Sequence, residues 1–263
     1  MSIGGAGREG VRDARDVVKK CAGSRRLMEA WKVKPGDVAE LLHRYEWLLE
    51  SDEYLGRFVK ARDGDASAAA KMFVEHLVWR REYKVDGILA EPELQEMELE
   101  GEMEWRSDLS DVAGVPTLLW RVRRHDPAAR APAVATRFFV YMLEKCFRTM
   151  DKGSARESGP SSQMTLLADL HGVSMRENAD TAMLKHAAPI IQSNYPERQH
   201  RTLAVPVSAA VYYGWKLAQK FLDRGTASKV VFLRESESHT VRSMFPAVGQ
   251  NLADSSPLAT LLA

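Results

Sequence analysis

The chain has 263 residues, of which 45% are hydrophobic, so it is long enough to bury a substantial core in one large domain or two small ones. Its 37 basic and 36 acidic residues nearly cancel, which excludes binding to nucleic acid through bulk positive charge. The two cysteines, Cys21 and Cys146, lie far apart without metal-ligating neighbours, and we interpret them as free thiols in a reducing compartment.

The amino-terminal residues carry charges where a signal peptide needs an apolar segment. No run in the chain approaches the roughly 18 apolar residues of a membrane span. We therefore expect a cytoplasmic protein whose membrane contacts are reversible. Residues 1–33 show little periodicity and predict a lead-in that is mobile or partly helical, and we assign no function to it.

Helical periodicity then runs from Asp37 to Leu49, directly after a Pro-Gly start signal. Two further helices are predicted near residues 54–61 and 66–83. Because three helices precede the first predicted strand, we place an N-terminal helical subdomain at residues 34–106.

Seven glutamates lie from Glu91 to Glu104, a run that is typical of a solvated helix face or loop and not of a carboxylate active site. An apolar strand is predicted at 117–122 and a helix at 134–150. The Ser-rich and Gly-rich residues 151–163 then predict a flexible loop.

The remaining predicted elements are strand 164–169, helix 178–194, strand 203–207, helix 208–222 and strand 229–233. The strand at 164–169 is almost continuously apolar, which indicates burial on both faces. Strands that alternate with helices of this length predict an α/β fold with a mainly parallel sheet. We place this domain at residues 107–250 and a C-terminal tail at 251–263.

The helix predicted at 208–222 carries its polar side chains on one narrow stripe, formed by Tyr212, Lys216, Gln219 and Lys220. The rest of its circumference needs an apolar environment. From the residues alone, this segment is either an internal helix of a large core or a lid over an apolar cavity.

The chain lacks the common sequence motifs of nucleotide-binding loops, hydrolase nucleophile elbows and zinc peptidases. We therefore predict no catalytic residue, no metal ligand and no cofactor, and we predict that the protein is not an enzyme. An α/β enzyme with an unrecognised active site stays open as an alternative, because a fold alone does not define an activity.

A resemblance to the CRAL-TRIO lipid-binding domain of phosphatidylinositol transfer proteins is carried by Asn194–Arg198, Phe221–Asp223 and Thr226–Leu233. It extends upstream through Asp169–Ser174 and Phe58–Val85, and it covers most of the chain. The resemblance implies an N-terminal helical subdomain, a mainly parallel sheet with flanking helices, and a gate helix over an apolar lipid pocket.

The resemblance also implies the residues of a binding site. The positions that match those holding an inositol phosphate headgroup in the family are Glu197, Lys229, Thr226 and Arg62. The positions that match the gate helix and pocket wall are Val211, Tyr213, Trp215, Leu217 and Phe221. On the pocket strand, Met164 and Leu166 stand where members that bind phosphatidylcholine have hydroxyl side chains, so the resemblance favours an inositol lipid.

We therefore predict a monomer that binds a phospholipid, phosphatidylinositol in particular, and exchanges or presents it at membranes. The bound phospholipid is its ligand, a membrane surface is its transient partner, lipid kinases are candidate partners, and nucleic acid is not a partner. Two alternatives stay open within the resemblance. One is a lipid sensor or scaffold without bulk transfer, and the other is a carrier of a tocopherol-like or retinoid-like molecule.

Overall fold

The computed structural model describes residues 5–153, 162–221 and 224–245. Two compact units divide the chain, and we name them by their content. The helical unit comprises Met1–Asp86 and Ser193–Glu197, and the sheet unit comprises Gly87–Gln192 and Arg198–Ala263. The tail predicted at 251–263 and most of the loop predicted at 151–163 lie outside the described residues.

The described part of the helical unit contains α1 (Gly5–Ala22), α2 (Arg25–Ala30), α3 (Pro35–Arg44), α4 (Glu46–Leu49), α5 (Asp52–Lys60) and α6 (Ala66–Glu82). Side-chain caps fix where α5 and α6 begin. The Ser51 hydroxyl accepts a hydrogen bond from the Tyr54 N–H at 3.2 Å, and Asp65 accepts one from the Ala68 N–H at 2.9 Å. Both helices therefore form where the sequence predicted them.

The lead-in segment, which was predicted to be mobile or partly helical, contains two helices, α1 and α2, in agreement with the partly helical alternative. α1 packs against α5 and α6, and its fully buried side chains are Val11, Ala14, Val18 and Cys21. Gly10 allows a close approach, because a Cβ there would lie 3.2 Å from Cγ1 of Val59 on α5. The buried side chains are small and stand among charged ones, so their helical spacing is a weak sequence signal.

Tyr45 interrupts the helix that was predicted from Asp37 to Leu49. Its backbone lies outside the helical region, with φ −114° and ψ 25°, so α3 ends before it and α4 begins after it. The Tyr45 ring is buried, and its hydroxyl donates to the Asp86 carboxylate at 2.8 Å. The break thus places a large ring in the core of the helical unit and gives its hydroxyl a partner.

The described part of the sheet unit contains α7 (Pro92–Leu99), β1 (Met103–Ser110), β2 (Pro116–Arg121), α8 (Pro132–Gly153), β3 (Met164–Asp169), α9 (Thr181–Asn194), β4 (Gln199–Val205), α10 (Ala209–Ala218), α11 (Arg224–Ser228), β5 (Val230–Phe232) and α12 (Ser238–Met244). The strand order is β1-β2-β3-β4-β5, with β1 antiparallel to β2 and the other pairs parallel. The predicted α/β fold with a mainly parallel sheet is confirmed. Within the described ranges, no helix combines the length and the apolar character of a bilayer span.

Strand β1 was not predicted from the sequence. It lies at one edge of the sheet and carries Glu104, Arg106 and Asp108, and the last two are paired at 2.7 Å. Charged side chains are a common feature of edge strands because they discourage pairing with another chain, and they also hide the alternation that identifies a strand. The acidic run is therefore not only a solvated helix face or loop, because it ends inside β1.

One layer of the sheet core is formed by Leu119, Leu167 and Leu203, which are paired across β2, β3 and β4. All three are at most 1% exposed, and Val241 of α12 and Phe245, which follows α12, belong to the same cluster. Full burial of each such side chain contributes about 1.5–3 kcal/mol to folding. Burial of β3 on both faces is thus confirmed.

A buried charge network surrounds His125 in the sheet unit. Its Nδ1 lies 3.0 Å from Glu102 Oε1, and its Nε2 lies 3.3 Å from Asp180 Oδ2. Glu102 also accepts hydrogen bonds from Trp120 Nε1 at 3.2 Å and from Arg130 at 2.5 Å. Burial opposes protonation of His125, but the two carboxylates outweigh it and raise the pKa of the imidazole. Glu102 therefore corrects the expectation that the acidic run is fully solvated.

We expect the stability of the fold to decrease as this histidine loses its proton. Because the folded-state pKa of His125 lies above its ordinary value of about 6.5, the stabilisation is complete below about pH 6.5 and is lost as the pH rises through the folded-state pKa. Urea unfolding across this range should show a steeper loss of stability for the wild type than for His125→Gln. Equal pH dependence in the two proteins would contradict the network.

Candidate functional site

Helix α10, the predicted gate helix, lies at the surface of the sheet unit. It begins after Ser208, whose hydroxyl accepts a hydrogen bond from the Val211 N–H at 3.3 Å. Every residue from 209 to 216 is exposed or half-buried, and Tyr213 is 70% exposed. The alternative of an internal helix is therefore wrong for this part of α10, and the lid interpretation stays a prediction.

Two aromatic rings connect α10 to the sheet. Tyr212 and Trp215 lie 5.8 Å and 5.5 Å from the ring of Phe232 on β5, measured between ring centroids. Gly214 leaves space for a third contact, since a Cβ there would lie 2.4 Å from the methyl carbon of Met175. The described contacts of α10 are thus peripheral, as is typical of elements that open locally at low cost.

The predicted gate and pocket residues of α10 have different environments. Val211 and Trp215 are half-buried, whereas Tyr213 is exposed. The side chains of Leu217 and Phe221 fall outside the part of the chain that the structure describes. Their role in a lipid pocket stays a prediction.

Strand β3 has apolar side chains on one face and the hydroxyl of Thr165 on the other. Met164 is buried and Leu166 is half-buried, and the two share one face because side chains alternate along a strand. Thr165 points to the other face, where its hydroxyl donates to the Asp111 carboxylate at 3.2 Å. The hydroxyl of β3 is therefore already bound to a protein acceptor.

Lys229 lies at the amino end of β5 and is half-buried. Its ammonium donates to the Gln199 carbonyl at 2.9 Å, so it bends back towards the start of β4. Its backbone N–H donates to the Thr226 carbonyl of α11 at 3.2 Å, and its carbonyl accepts from the Thr202 N–H at 2.9 Å. These bonds fix a cation at the edge of the sheet where β4 and β5 begin.

Glu197 belongs to the helical unit and forms an ion pair there with Lys60 of α5, at 2.6 Å. The side chain of Glu197 is 25% exposed and that of Lys60 is 70% exposed. Glu197 also has a φ of 58°, a left-handed conformation that is uncommon for residues other than glycine. Such conformations persist where surrounding contacts impose them, and they are frequent at binding sites.

The contacts that hold the segment around Glu197 come from α5 and α6. The Asn194 amide oxygen lies 3.1 Å from His76 Nδ1, and His76 Nε2 lies 2.9 Å from the Tyr54 hydroxyl. Because an amide oxygen only accepts, Nδ1 carries the proton and Nε2 accepts from the tyrosine. The Tyr195 ring packs edge-on against Trp79, with ring centroids 5.8 Å apart.

The predicted headgroup residues divide between the two units. Glu197 and Arg62 belong to the helical unit, and Thr226 and Lys229 belong to the sheet unit. Arg62 is exposed and donates to the carbonyl of Ala61 at 3.0 Å. Their assignment to one headgroup stays a prediction.

Sequence reasoning missed three residues beside Lys229 in the sheet unit. Asp111 Oδ2 lies 3.7 Å from His200 Nε2 and 3.5 Å from Arg201 Nε. Arg201 Nη2 lies 2.7 Å from the same imidazole nitrogen. The pKa of His200 is lowered, mainly by burial and then by the charges of Arg201 and Lys229. The Asp111 carboxylate acts in the opposite direction and raises this pKa. The basic pair at 200 and 201 was a visible signal, but its proximity to Lys229 depends on strand register.

The fold defines an α/β protein in which helices precede a mainly parallel sheet whose last strands flank a surface helix. The sequence profile of the CRAL/TRIO domain matches residues 108–248, which is more than half of the chain. The chain therefore belongs to the CRAL/TRIO domain family, as its sequence predicted.

Several curated proteins are similar in sequence. Protein real-time of Drosophila melanogaster is 27% identical over 221 residues, which cover 81% of this chain and 32% of that protein. The phosphatidylinositol/phosphatidylcholine transfer protein SFH11 of Arabidopsis thaliana is 29% identical over 188 residues, which cover 68% of this chain and 50% of that protein. The chain thus spans a third to a half of the length of these relatives.

A solved structure has a similar fold. The crystal structure of Sfh5 aligns with a TM-score of 0.62 and covers 90% of this chain and 84% of its own. The two sequences are 21% identical, so this likeness concerns the fold alone.

Proposed function

We propose that this chain binds a phospholipid, phosphatidylinositol in particular, and exchanges or presents it at membranes without catalysing a reaction. The observation that carries the proposal is Lys229, a half-buried ammonium at the edge of the sheet in a member of the CRAL/TRIO domain family. The name of the Arabidopsis relative, which states transfer of phosphatidylinositol and phosphatidylcholine by that protein, supports the same ligand class.

The physical task of such a protein is to shield acyl chains from water. At about 0.8 kcal/mol per methylene, two acyl chains of about sixteen carbons cost on the order of 25 kcal/mol to expose, so a phospholipid leaves a bilayer slowly by itself. A surface helix that opens over an apolar pocket would provide a route that avoids water. We assign this role to α10, whose described contacts are peripheral.

The headgroup chemistry favours an anionic lipid. An ammonium binds an anionic phosphate oxygen more strongly than the neutral Gln199 carbonyl that Lys229 contacts, because the attraction between opposite charges adds to the hydrogen bond. Thr226 lies one turn before Lys229 in the same unit. Glu197 and Arg62 are proposed from the family resemblance, Glu197 as an acceptor for inositol hydroxyls and Arg62 as a second cation.

The exposed part of α10 suits transient contact with an anionic membrane surface. Tyr213 is 70% exposed, and the lysines at positions 216 and 220 are exposed as well. Aromatic rings partition into the headgroup region of a bilayer, and each lysine near an anionic surface contributes about 1 kcal/mol to binding. We propose a cytoplasmic, reversibly membrane-associated monomer, and lipid kinases are candidate recipients of the presented lipid.

Transfer of phosphatidylinositol between vesicles should be faster than transfer of phosphatidylcholine. The reason is that Lys229 provides a phosphate partner, whereas Met164 and Leu166 offer no hydroxyl to a choline headgroup. The measurement is movement of each labelled lipid from donor to acceptor vesicles at equal protein concentration. Equal rates for the two lipids would contradict the preference, and no transfer of either would contradict the exchange.

A further inference from the structure

A β-bulge changes the direction of two basic side chains at the start of β4. Met164 of β3 pairs with Gln199, and the next residue, Thr165, pairs with Arg201, so β4 has one extra residue in this interval. That residue is His200. Neighbouring side chains of a regular strand point to opposite faces, but a bulge turns the extra one aside. As a result, His200 and Arg201 both lie within 3.7 Å of Asp111.

Asp111 is a fixed, buried acceptor. Its side chain is 0% exposed and accepts hydrogen bonds from the backbone N–H groups of Ala113 and Val115 and from the Thr165 hydroxyl. A carboxylate held by three donors has little freedom to move, so it sets the position of the Arg201 guanidinium at 3.5 Å.

His200 accepts a hydrogen bond from Arg201 in this arrangement. Because a guanidinium only donates, the Nε2 atom that lies 2.7 Å from Arg201 has no proton, and the imidazole is neutral. The charged groups that face His200 come from three elements: Asp111 from the β1–β2 connection, Arg201 from β4, and Lys229 from the start of β5. Thr165 of β3 faces the same carboxylate.

Arg201 and Lys229 are neighbours across the two strands. The next residues along each strand, Thr202 and Val230, are paired, and the Thr202 N–H donates to the Lys229 carbonyl. Two cations therefore act on His200, and one of them, Arg201, also faces the Asp111 carboxylate, which already has several donors. The arrangement is half-exposed, so an anion reaches it from solvent.

We propose that Lys229, Arg201 and His200 form one phosphate-binding site at the amino ends of β4 and β5, and that phosphate binding brings a proton onto His200. The inference rests on the proposed function, because its ligand is the phosphate of the phosphatidylinositol headgroup. A solvent proton adds to His200 Nε2, which ends the hydrogen bond from Arg201. The released guanidinium N–H and the new imidazolium N–H both donate to phosphate oxygens. Asp111 is a positioning residue that acts through Arg201 and His200.

The test is to measure phosphatidylinositol binding from vesicles as the pH falls from about 8 to about 6, a range in which histidine titrates and a phosphodiester stays ionised. Wild-type affinity should rise about three- to tenfold, since a pKa displaced by up to one unit changes affinity by up to tenfold. His200→Gln should remove this rise. Arg201→Gln should lower affinity about tenfold at both pH values, as expected for loss of one charge-assisted bond.

Matched variants outside the proposed phosphate site test whether loss of any histidine or arginine has the same effect on binding. His43→Gln and Arg25→Gln change the same residue types at exposed positions of the helical unit and should leave affinity and its pH dependence unchanged.

Asp111→Asn should move the rise in affinity to lower pH, because the carboxylate favours protonation of His200. A purely structural role for Asp111 would leave the pH profile in place.

The outcomes distinguish this inference from the function on which it rests. If the wild type binds no phosphatidylinositol, the proposed function fails. If it binds with the same pH dependence in His200→Gln and the same affinity in Arg201→Gln, the phosphate site is overturned while the function stands. Binding of inositol 1-phosphate, a soluble headgroup without acyl chains, tests whether the ligand is the lipid or a free phosphate ester. Binding of this soluble headgroup with the His200-dependent profile, without uptake of the lipid, would overturn the lipid as the ligand.

Discussion

Lys229→Ala is expected to lower the affinity for phosphatidylinositol about ten- to hundredfold. The variant loses a charge-assisted hydrogen bond to the lipid phosphate, which is worth about 1.5–3 kcal/mol. The fold should persist, because the ammonium contacts only one described protein acceptor, the Gln199 carbonyl, and lies at the edge of the sheet. Binding is measured by uptake of labelled phosphatidylinositol from vesicles, and folding by the urea midpoint.

Lys71→Ala is the matched control for this variant. Lys71 is an exposed lysine of α6 that pairs with Glu75 one turn away, and its removal should change neither measurement by more than about 1 kcal/mol. Lys229→Arg keeps the charge and should retain most of the affinity. Unchanged affinity in Lys229→Ala, or a loss that follows unfolding alone, would contradict the headgroup assignment.

Glu102→Ala is expected to destabilise the fold by about 3–5 kcal/mol, because removal of one partner from a buried ion pair leaves the other charges without compensation. Glu102 is 3% exposed by side chain, and its loss leaves His125, Arg130 and Trp120 facing an empty position. The free energy of unfolding near neutral pH is the measurement.

Glu100→Ala provides a close comparison. Glu100 also pairs with Arg130, but its side chain is 56% exposed. A surface ion pair contributes about 0–1 kcal/mol, so this variant should unfold close to the wild type. Equal destabilisation by Glu100→Ala and Glu102→Ala would show that burial of the network does not determine its strength.

The fold was predictable where a single segment contains all the residues that determine its structure, such as an apolar run or a helix cap. Strand β3 is apolar on both faces, and α5 and α6 begin at side-chain caps that are visible in the sequence. Signals were weak where burial depends on distant partners. Most side chains of strand β1, at the sheet edge, are exposed or half-buried, so β1 has no clear apolar face in the sequence. The buried side chains of α1 are small and lie between charged residues. The break at Tyr45 depends on the position of Asp86, which local periodicity does not contain.

The candidate site was predictable only in part. Lys229, Thr226, Glu197 and Arg62 came from a family resemblance, and each is a polar residue that local patterns alone assign to an ordinary surface. The His200 and Arg201 pair needed the strand register, because a bulge decides which way two consecutive side chains point. Lys60 pairs with a residue 137 positions away, so its role also required the folded chain.

That this chain holds phosphatidylinositol is the proposal on which the others depend. Its most direct test is to incubate the purified protein with vesicles in which phosphatidylinositol is a minor component of phosphatidylcholine. The protein is then separated from the vesicles, and its bound lipid is identified by mass spectrometry. We expect one phospholipid per chain, with phosphatidylinositol enriched well above its share in the vesicles. An extract without phospholipid, or one with the composition of the vesicles, would contradict it.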